Sequence, residues 1–247
     1  MNILVILVPI IFFGAFVDAI AGGGGLITLT AYVAVGLPPQ YALGTNKFAS
    51  SFGTTIASSQ YIRRGEISWP VAAMAIPASF IGSAIGSWMA GRWANDYLGY
   101  LLLVLVPAIA IFMMINPSFG QGKERSRSTL LSVAALLGLL LGWYDGFFGP
   151  GTGMLLTLGF TTLLGLELLA SSGTARVVNL SSNLAALAVF LINGSVDFSV
   201  GIPCAIASIA GGWIGSRLAL RIGRRVIKPI MLLVLALLLI KVALDVL

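Results

Sequence analysis

The 247 residues contain no histidine and a single cysteine, Cys204. Without an imidazole there is no His ligand for haem, no Ser–His dyad and no HExxH zinc site. One cysteine excludes an intrachain disulfide and any CxxC or multi-cysteine metal set. No metal and no other cofactor is expected. Charge is also scarce, at 9% of residues, against roughly 25% in a soluble domain. The longest polar stretch, "NPSFGQGKERSRST" at 116–129, is too short to fold alone. The net charge of +6 is spread over short segments and forms no single basic face, so no nucleic-acid partner is expected.

What remains is largely apolar: 58% of residues are hydrophobic. Apolar runs of about 18 or more residues recur along the chain, the mark of transmembrane helices. The expected fold class is therefore an all-α polytopic membrane protein with the lipid bilayer as its surroundings. Residues 1–21 end in Ala19-Ile20-Ala21, an A-x-A pattern like a cleavage site. They begin without Lys or Arg, and Asp18 stands beside that site, so the segment is expected to be retained.

The chain repeats itself. "GAFVDAIAGGGG" (14–25) resembles "GWYDGFFGPGTG" (142–153), which aligns Asp18 with Asp145 and Gly22 with Gly149. "LGTNK" (43–47) resembles "SGTAR" (172–176), which aligns Thr45 with Thr174 and Lys47 with Arg176. "GSAIGSWMAGR" (82–92) resembles "GGWIGSRLALR" (211–221). The spacing of these pairs stays nearly constant. The expected organisation is a first repeat over 1–116, a cytoplasmic linker over 117–128 and a second repeat over 129–247.

Each repeat opens with a glycine-interrupted element, 3–36 and 130–166. Three ordinary spans follow: 43–62, 69–90 and 98–116, then 172–192, 198–219 and 227–246. As one helix, 34 residues would run about 51 Å. That is too long for a bilayer core of about 30 Å and too short for two crossings. A re-entrant hairpin of two short helices with the glycines at its tip is expected. Charge agrees. If the element crosses once, basic residues divide evenly between the faces. If it returns, Arg63, Arg64, Lys123, Arg125, Arg127, Arg217, Arg221, Arg224, Arg225 and Lys228 gather on one side, with Arg92 on the other. The positive-inside rule then predicts inverted repeats, with both termini outside the cytoplasm.

Broken helices in a membrane leave backbone groups that only protein or a hydrated cavity can satisfy. The helices restarting after Gly22, Gly23, Gly24 and Gly25, and after Gly149, Gly151, Thr152 and Gly153, present N-termini suited to an anion. The alternative is that the glycines only allow close packing. Thr45, Asn46 and Lys47, with Thr174, Arg176 and Asn179, stand at matching helix starts. Polar residues Ser51, Thr54 and Ser58 follow Lys47 at helical spacing, and Asn183 follows Asn179. Cations at membrane depth default to function; snorkelling or an ion pair is the plainer reading. Asp18 and Asp145 cap their own turns, pair with Lys47 or Arg176, or carry protons, and the sequence leaves these open. Gly82/Gly86 and Gly211/Gly215 read as helix-packing faces. Pro77, Pro107 and Pro203 read as kinks, and Glu167 as a loop residue.

These motifs, in order and in both halves, resemble the TauE/SafE family of sulfite exporters. The resemblance spans essentially the whole chain. It implies export of sulfite, or of an organosulfonate such as sulfoacetate, across the bacterial inner membrane, with a proton gradient as the driving force. The corresponding expectation is a secondary transporter and no enzyme, with a small anionic substrate bound at the glycine tips and at Lys47 and Arg176. A passive anion channel is the alternative, followed by a permease for another solute. A homo-oligomer is left open.

Overall fold

The structure, a computed structural model, describes residues 3–91 and 127–246. Among these there are nine α-helices and no strand. They are α1 (Ile3–Ala21), α2 (Gly24–Ala34), α3 (Pro39–Arg63), α4 (Trp69–Ala90), α5 (Arg127–Phe147), α6 (Thr152–Thr162), α7 (Leu168–Ile192), α8 (Phe198–Ile222) and α9 (Arg224–Val246). Five are long and apolar enough to cross a membrane: α1, α4, α7, α8 and the Leu130–Phe147 part of α5. α3 is as long as α7, but its buried face carries Thr45, Asn46, Lys47, Ser51, Thr54 and Ser58. Large side chains such as Val5, Phe13, Ile81, Leu140 and Ile206 face outward. Apolar outside and partly polar inside is the arrangement a bilayer selects.

The sequence-read spans fall on helices, with shifted ends. α3 starts at Pro39, because a proline at the first helical position sacrifices no hydrogen bond. α8 runs on to Ile222 and stops at Gly223, whose φ of 64° breaks the helix. Asp197 caps α8, accepting from Ser199 N (2.9 Å) and Val200 N (3.3 Å). The span at 98–116, with Pro107, Arg92, Lys123 and Arg125, lies outside the described residues. α5 begins at Arg127, inside the stretch read as linker.

The glycine-interrupted elements each form two helices, but unequal ones. α1 has 19 residues and α2 has 11, about 28 Å against about 17 Å. α5 and α6 repeat this with 21 and 11. The expectation of two short arms is corrected: the first arm stays intact up to the glycine turn. Gly14, within it, does not break the helix and instead packs against Thr28 of α2. α2 runs back along α1, since Gly24 lies against Gly14 and Asp18.

Glycines set the other helix directions. Gly211 and Gly215 of α8 rest on the carbonyls of Phe12 and Phe16, so α1 and α8 are parallel. Gly82 and Gly86 of α4 rest on Leu139 and Trp143, so α4 and α5 are parallel as well. Both small-residue faces are thus packing contacts, as read from the sequence. Gly53 meets Ser208 and Gly212, and Gln60 Nε2 donates to Trp213 O (3.0 Å) and Ser216 Oγ (2.7 Å), which makes α3 and α8 parallel. Ser83 Oγ donates to Ser182 O (2.6 Å) and Ser79 Oγ to Val178 O (3.4 Å), so α4 and α7 are parallel. α3 and α7 run opposite ways: Gly44 abuts Ser195, while Gly173 abuts Glu66.

These directions bring the C-terminal ends of α3 and α8 to one face, with Arg63, Arg64, Arg217 and Arg221. The N-terminal ends of α5 and α9 join them there, with Arg127, Arg224, Arg225 and Lys228. Lys241 sits near the other end of α9. The charge division is therefore one residue less lopsided than the sequence count made it.

Candidate functional site: a polar cavity between two glycine turns

Two backbone turns meet inside the bundle. In the first, Gly22 N donates to Asp18 O (2.7 Å) and Gly22 adopts φ 84°, after which α2 starts at Gly24. In the second, Gly149 (φ 100°) and Gly151 (φ 82°) lead into α6. Met154 N donates to Gly22 O at 3.0 Å and joins the turns directly. Gly22 must be glycine on two counts. Its φ is left-handed, and a Cβ would run into the backbone of Gly153 and Met154.

Two cation–carboxylate pairs cross between the halves of the chain. Lys47 Nζ lies 2.7 Å from Asp145 Oδ2 and donates to Asn183 Oδ1 at 2.9 Å. Both charged side chains are buried, at 3% exposure each. Arg176 Nη1 lies 3.9 Å from Asp18 Oδ2, beyond hydrogen-bond reach. Asp18 Oδ1 instead accepts from Gly24 N (3.2 Å) and so caps α2. Asp18 keeps 22% of its side chain exposed, while Arg176 is at 0%. Among the described residues, all three guanidinium nitrogens of Arg176 lack a hydrogen-bond partner. So the equivalent cations differ: Lys47 is satisfied, whereas Arg176 is buried with its donors unused. Of the readings open for Asp18 and Asp145, capping is seen at Asp18 and ion pairing at both.

A cavity of about 40 Å3 lies between the turns. A water needs about 10–15 Å3 by this measure, so the space suits a few waters or one small ion. Asp18, Gly22, Gly24, Gly25, Asn46, Lys47, Asp145, Gly149, Gly151, Thr152, Gly153 and Asn179 line it, all read from the sequence as site residues. Four others read the same way do not. Gly23 faces Val234. Thr45 Oγ1 accepts from Asp197 N (3.0 Å), and Thr174 Oγ1 accepts from Ser68 N (2.9 Å). These equivalent threonines clasp equivalent loops. Arg176 lies behind the wall, its Nη1 against the bare Cα of Gly153.

Of the polar stripes, Thr54 and Asn183 reach the cavity. Ser51 donates instead to Lys47 O (2.7 Å), and Ser58 is buried elsewhere. Sequence reasoning missed Gly14, Ser50, Gly53, Ala57 and Ser208 in the wall. Ser50 sits one turn from Asn46, a spacing that could have found it. Glu167 is an exposed loop residue at the start of α7. Among the described residues, no group of His, Cys, Asp and Glu could hold a metal ion.

Comparison with known proteins finds a family and relatives over nearly the whole chain. The family model for the sulfite exporter TauE/SafE matches residues 7–242. A probable membrane transporter protein of Sinorhizobium sp, ORF9, is 38% identical over 90% of this chain and 85% of its own length. One from Haemophilus influenzae is 35% identical over 94% and 91%, respectively. The probable membrane transporter protein YfcA of Escherichia coli K12 is 34% identical over 97% and 91%. No solved structure matches.

Proposed function

This chain belongs to the sulfite exporter TauE/SafE family of membrane transporters, and on that premise we propose that it is a secondary transporter for a small sulfur oxyanion. The observation that carries the reading is Arg176. A fully buried guanidinium with no hydrogen-bond acceptor among the described residues, and with its Asp18 carboxylate only at 3.9 Å, is costly, because a loosely paired buried charge recovers little of the hydration it loses. Arg176 lies behind the wall of the closed cavity, so an anion entering between the turns would supply the acceptors once the Gly22–Met154 junction parts. Lys47 and amides of the glycine turns would complete its shell. The cavity size favours sulfite; an organosulfonate such as sulfoacetate would need the turns to part.

Inverted repeats support alternating access. The halves exchange equivalent contacts, α1 on α8 and α5 on α4, and α3 runs antiparallel to its counterpart α7. Rocking one half against the other would open the Gly22–Met154 junction toward either face. In this reading each glycine-broken element is a re-entrant hairpin and the basic face is cytoplasmic. The membrane is the bacterial inner membrane, with both termini on its outer side. Asp18, loosely paired and facing the cavity, is the better-placed of the two acids to couple transport to protons.

Proteoliposomes with an imposed pH gradient test this. Saturable sulfite flux that follows the gradient is expected, and flux that never saturates and ignores pH would make the protein a channel. Removing a charge-assisted contact costs about 1.5–3 kcal/mol. Lys47→Ala and Arg176→Ala should therefore lower flux roughly tenfold or more. Undiminished flux in both variants, each checked for folding by thermal melting, would end their assignment to the anion.

A further inference from the structure

The C-terminal ends of α3 and α8 enclose a second cleft, of about 900 Å3, on the basic face. Arg63, Arg64, Arg217 and Arg221 all line it, and among the described residues none of its lining is a carboxylate. Arg217 lies with its guanidinium 3.9 Å over the Trp213 ring. Beside the arginines the wall carries Ile56, Ile214, Leu218 and Leu220, with Ser59 and Gln60 as its uncharged polar members. Trp213 and Ile214 are 44% and 42% exposed. Four guanidiniums lining one cleft repel one another, and an anion among them relieves that repulsion.

The fold itself does not demand these charges. Under the internal repeat, α7 and α4 form the matching cleft at the other face. It is lined by Gln40, Trp88, Gly91, Phe190, Asn193 and Ser195. Asn193 stands where Arg64 does, and Trp88 where Arg217 does; Arg92, the counterpart of Arg221, lies outside the described residues. A topological signal needs basic residues near one face, but not their gathering in a cleft with a hydrocarbon wall. A soluble anion would use the guanidiniums and leave that wall idle. A membrane lipid presents a phosphate and a glycerol–acyl stem together, and inter-helix basic pockets at the cytoplasmic leaflet suit such headgroups.

We propose that this cleft is a binding site for the phosphate headgroup of an anionic membrane lipid, with the four arginines on the phosphate and the Trp213–Ile214 wall on the stem. Native mass spectrometry and thermal melting of the purified full chain in detergent test it, with phosphatidylglycerol, phosphatidylcholine or inorganic phosphate added. Retention and stabilisation by phosphatidylglycerol alone are expected. Each arginine near the surface is worth about 1 kcal/mol, so Arg63→Gln/Arg217→Gln should weaken retention roughly 25-fold. Arg64→Gln/Arg221→Gln is an independent second pair, for use if the first does not fold. Arg225→Gln, outside the cleft, should retain lipid as the parent does. Equal retention of phosphatidylcholine, or unchanged retention in a folded double variant, would overturn the proposal. Stabilisation by inorganic phosphate equal to that by lipid would overturn it too, and would reassign the cleft to a soluble anion.

Discussion

Asp18 and Asp145 occupy equivalent positions, yet only one is locked in a tight ion pair. Lys47 and Asp145 at 2.7 Å, both buried, form a unit whose breakage leaves a charge stranded, at a cost of about 3–5 kcal/mol. Asp145→Asn should therefore lower the thermal midpoint sharply, and adding Lys47→Gln should restore part of the loss. Asp18→Asn should cost less, because its partner is 3.9 Å away and it keeps 22% exposure. Equal losses in the two single variants would contradict this difference. Gly22 allows a second residue-scale test. Gly22 and Gly36 both have left-handed φ, 84° and 89°, but a Cβ on Gly36 meets nothing within 4 Å. Gly36→Ala should cost only the conformational term, about 1–2 kcal/mol. Gly22→Ala must also push apart the two turns, and should lower the midpoint further and abolish flux. Which residue types the site uses, and pairing of the acids with Lys47 or Arg176 as one reading, were legible from the sequence; which acid meets which cation was not. The repeat aligned Lys47 with Arg176 and Asp18 with Asp145, but pairing across the halves depends on a long-range approach that no local spacing encodes. Thr45 and Thr174 show the converse, since polar residues beside a site motif turned out to clasp loops.

At the scale of helices, the sequence was most readable where glycine recurs every fourth residue. Gly82/Gly86 and Gly211/Gly215 pack carbonyl to glycine against α5 and α1. Membrane helices gain little from the hydrophobic effect on associating, so close backbone approach is what holds these pairs. Replacing Gly86 or Gly215 by Leu should separate α4 from α5 or α8 from α1. Both variants should melt well below the parent in detergent, and by similar amounts, because the contacts are repeat-related. A Gly86→Leu protein as stable as the parent would show that the α4–α5 seam is not held by this contact. Helix ends were less readable, for a physical reason. Pro38-Pro39 and Glu167 sit just ahead of the polar motifs, and the apolar pattern from which the spans were read begins only after them. The contact made by Gly14 was also hidden, because its neighbour Thr28 lies beyond the glycine turn, on α2.

At the scale of the molecule, the side of the membrane on which each repeat begins decides between the two topologies. The parallel pairing of α3 with α8 and of α4 with α7, with α3 opposed to α7, places Arg64 and Asn193 at opposite faces although they occupy equivalent repeat positions. Both are exposed residues that end their helices. In a Cys204→Ser background, which removes the single native thiol, Arg64→Cys and Asn193→Cys each introduce one surface cysteine. An impermeant maleimide applied to intact cells should label Asn193→Cys and spare Arg64→Cys, whereas inside-out vesicles should give the reverse. The substitution at Arg64 leaves the other charges of the basic face in place, so the positive-inside bias survives the test. Labelling of both positions from the same side would make the repeats parallel. The glycine-broken elements would then be single crossings, and the alternating-access reading would lose its structural basis.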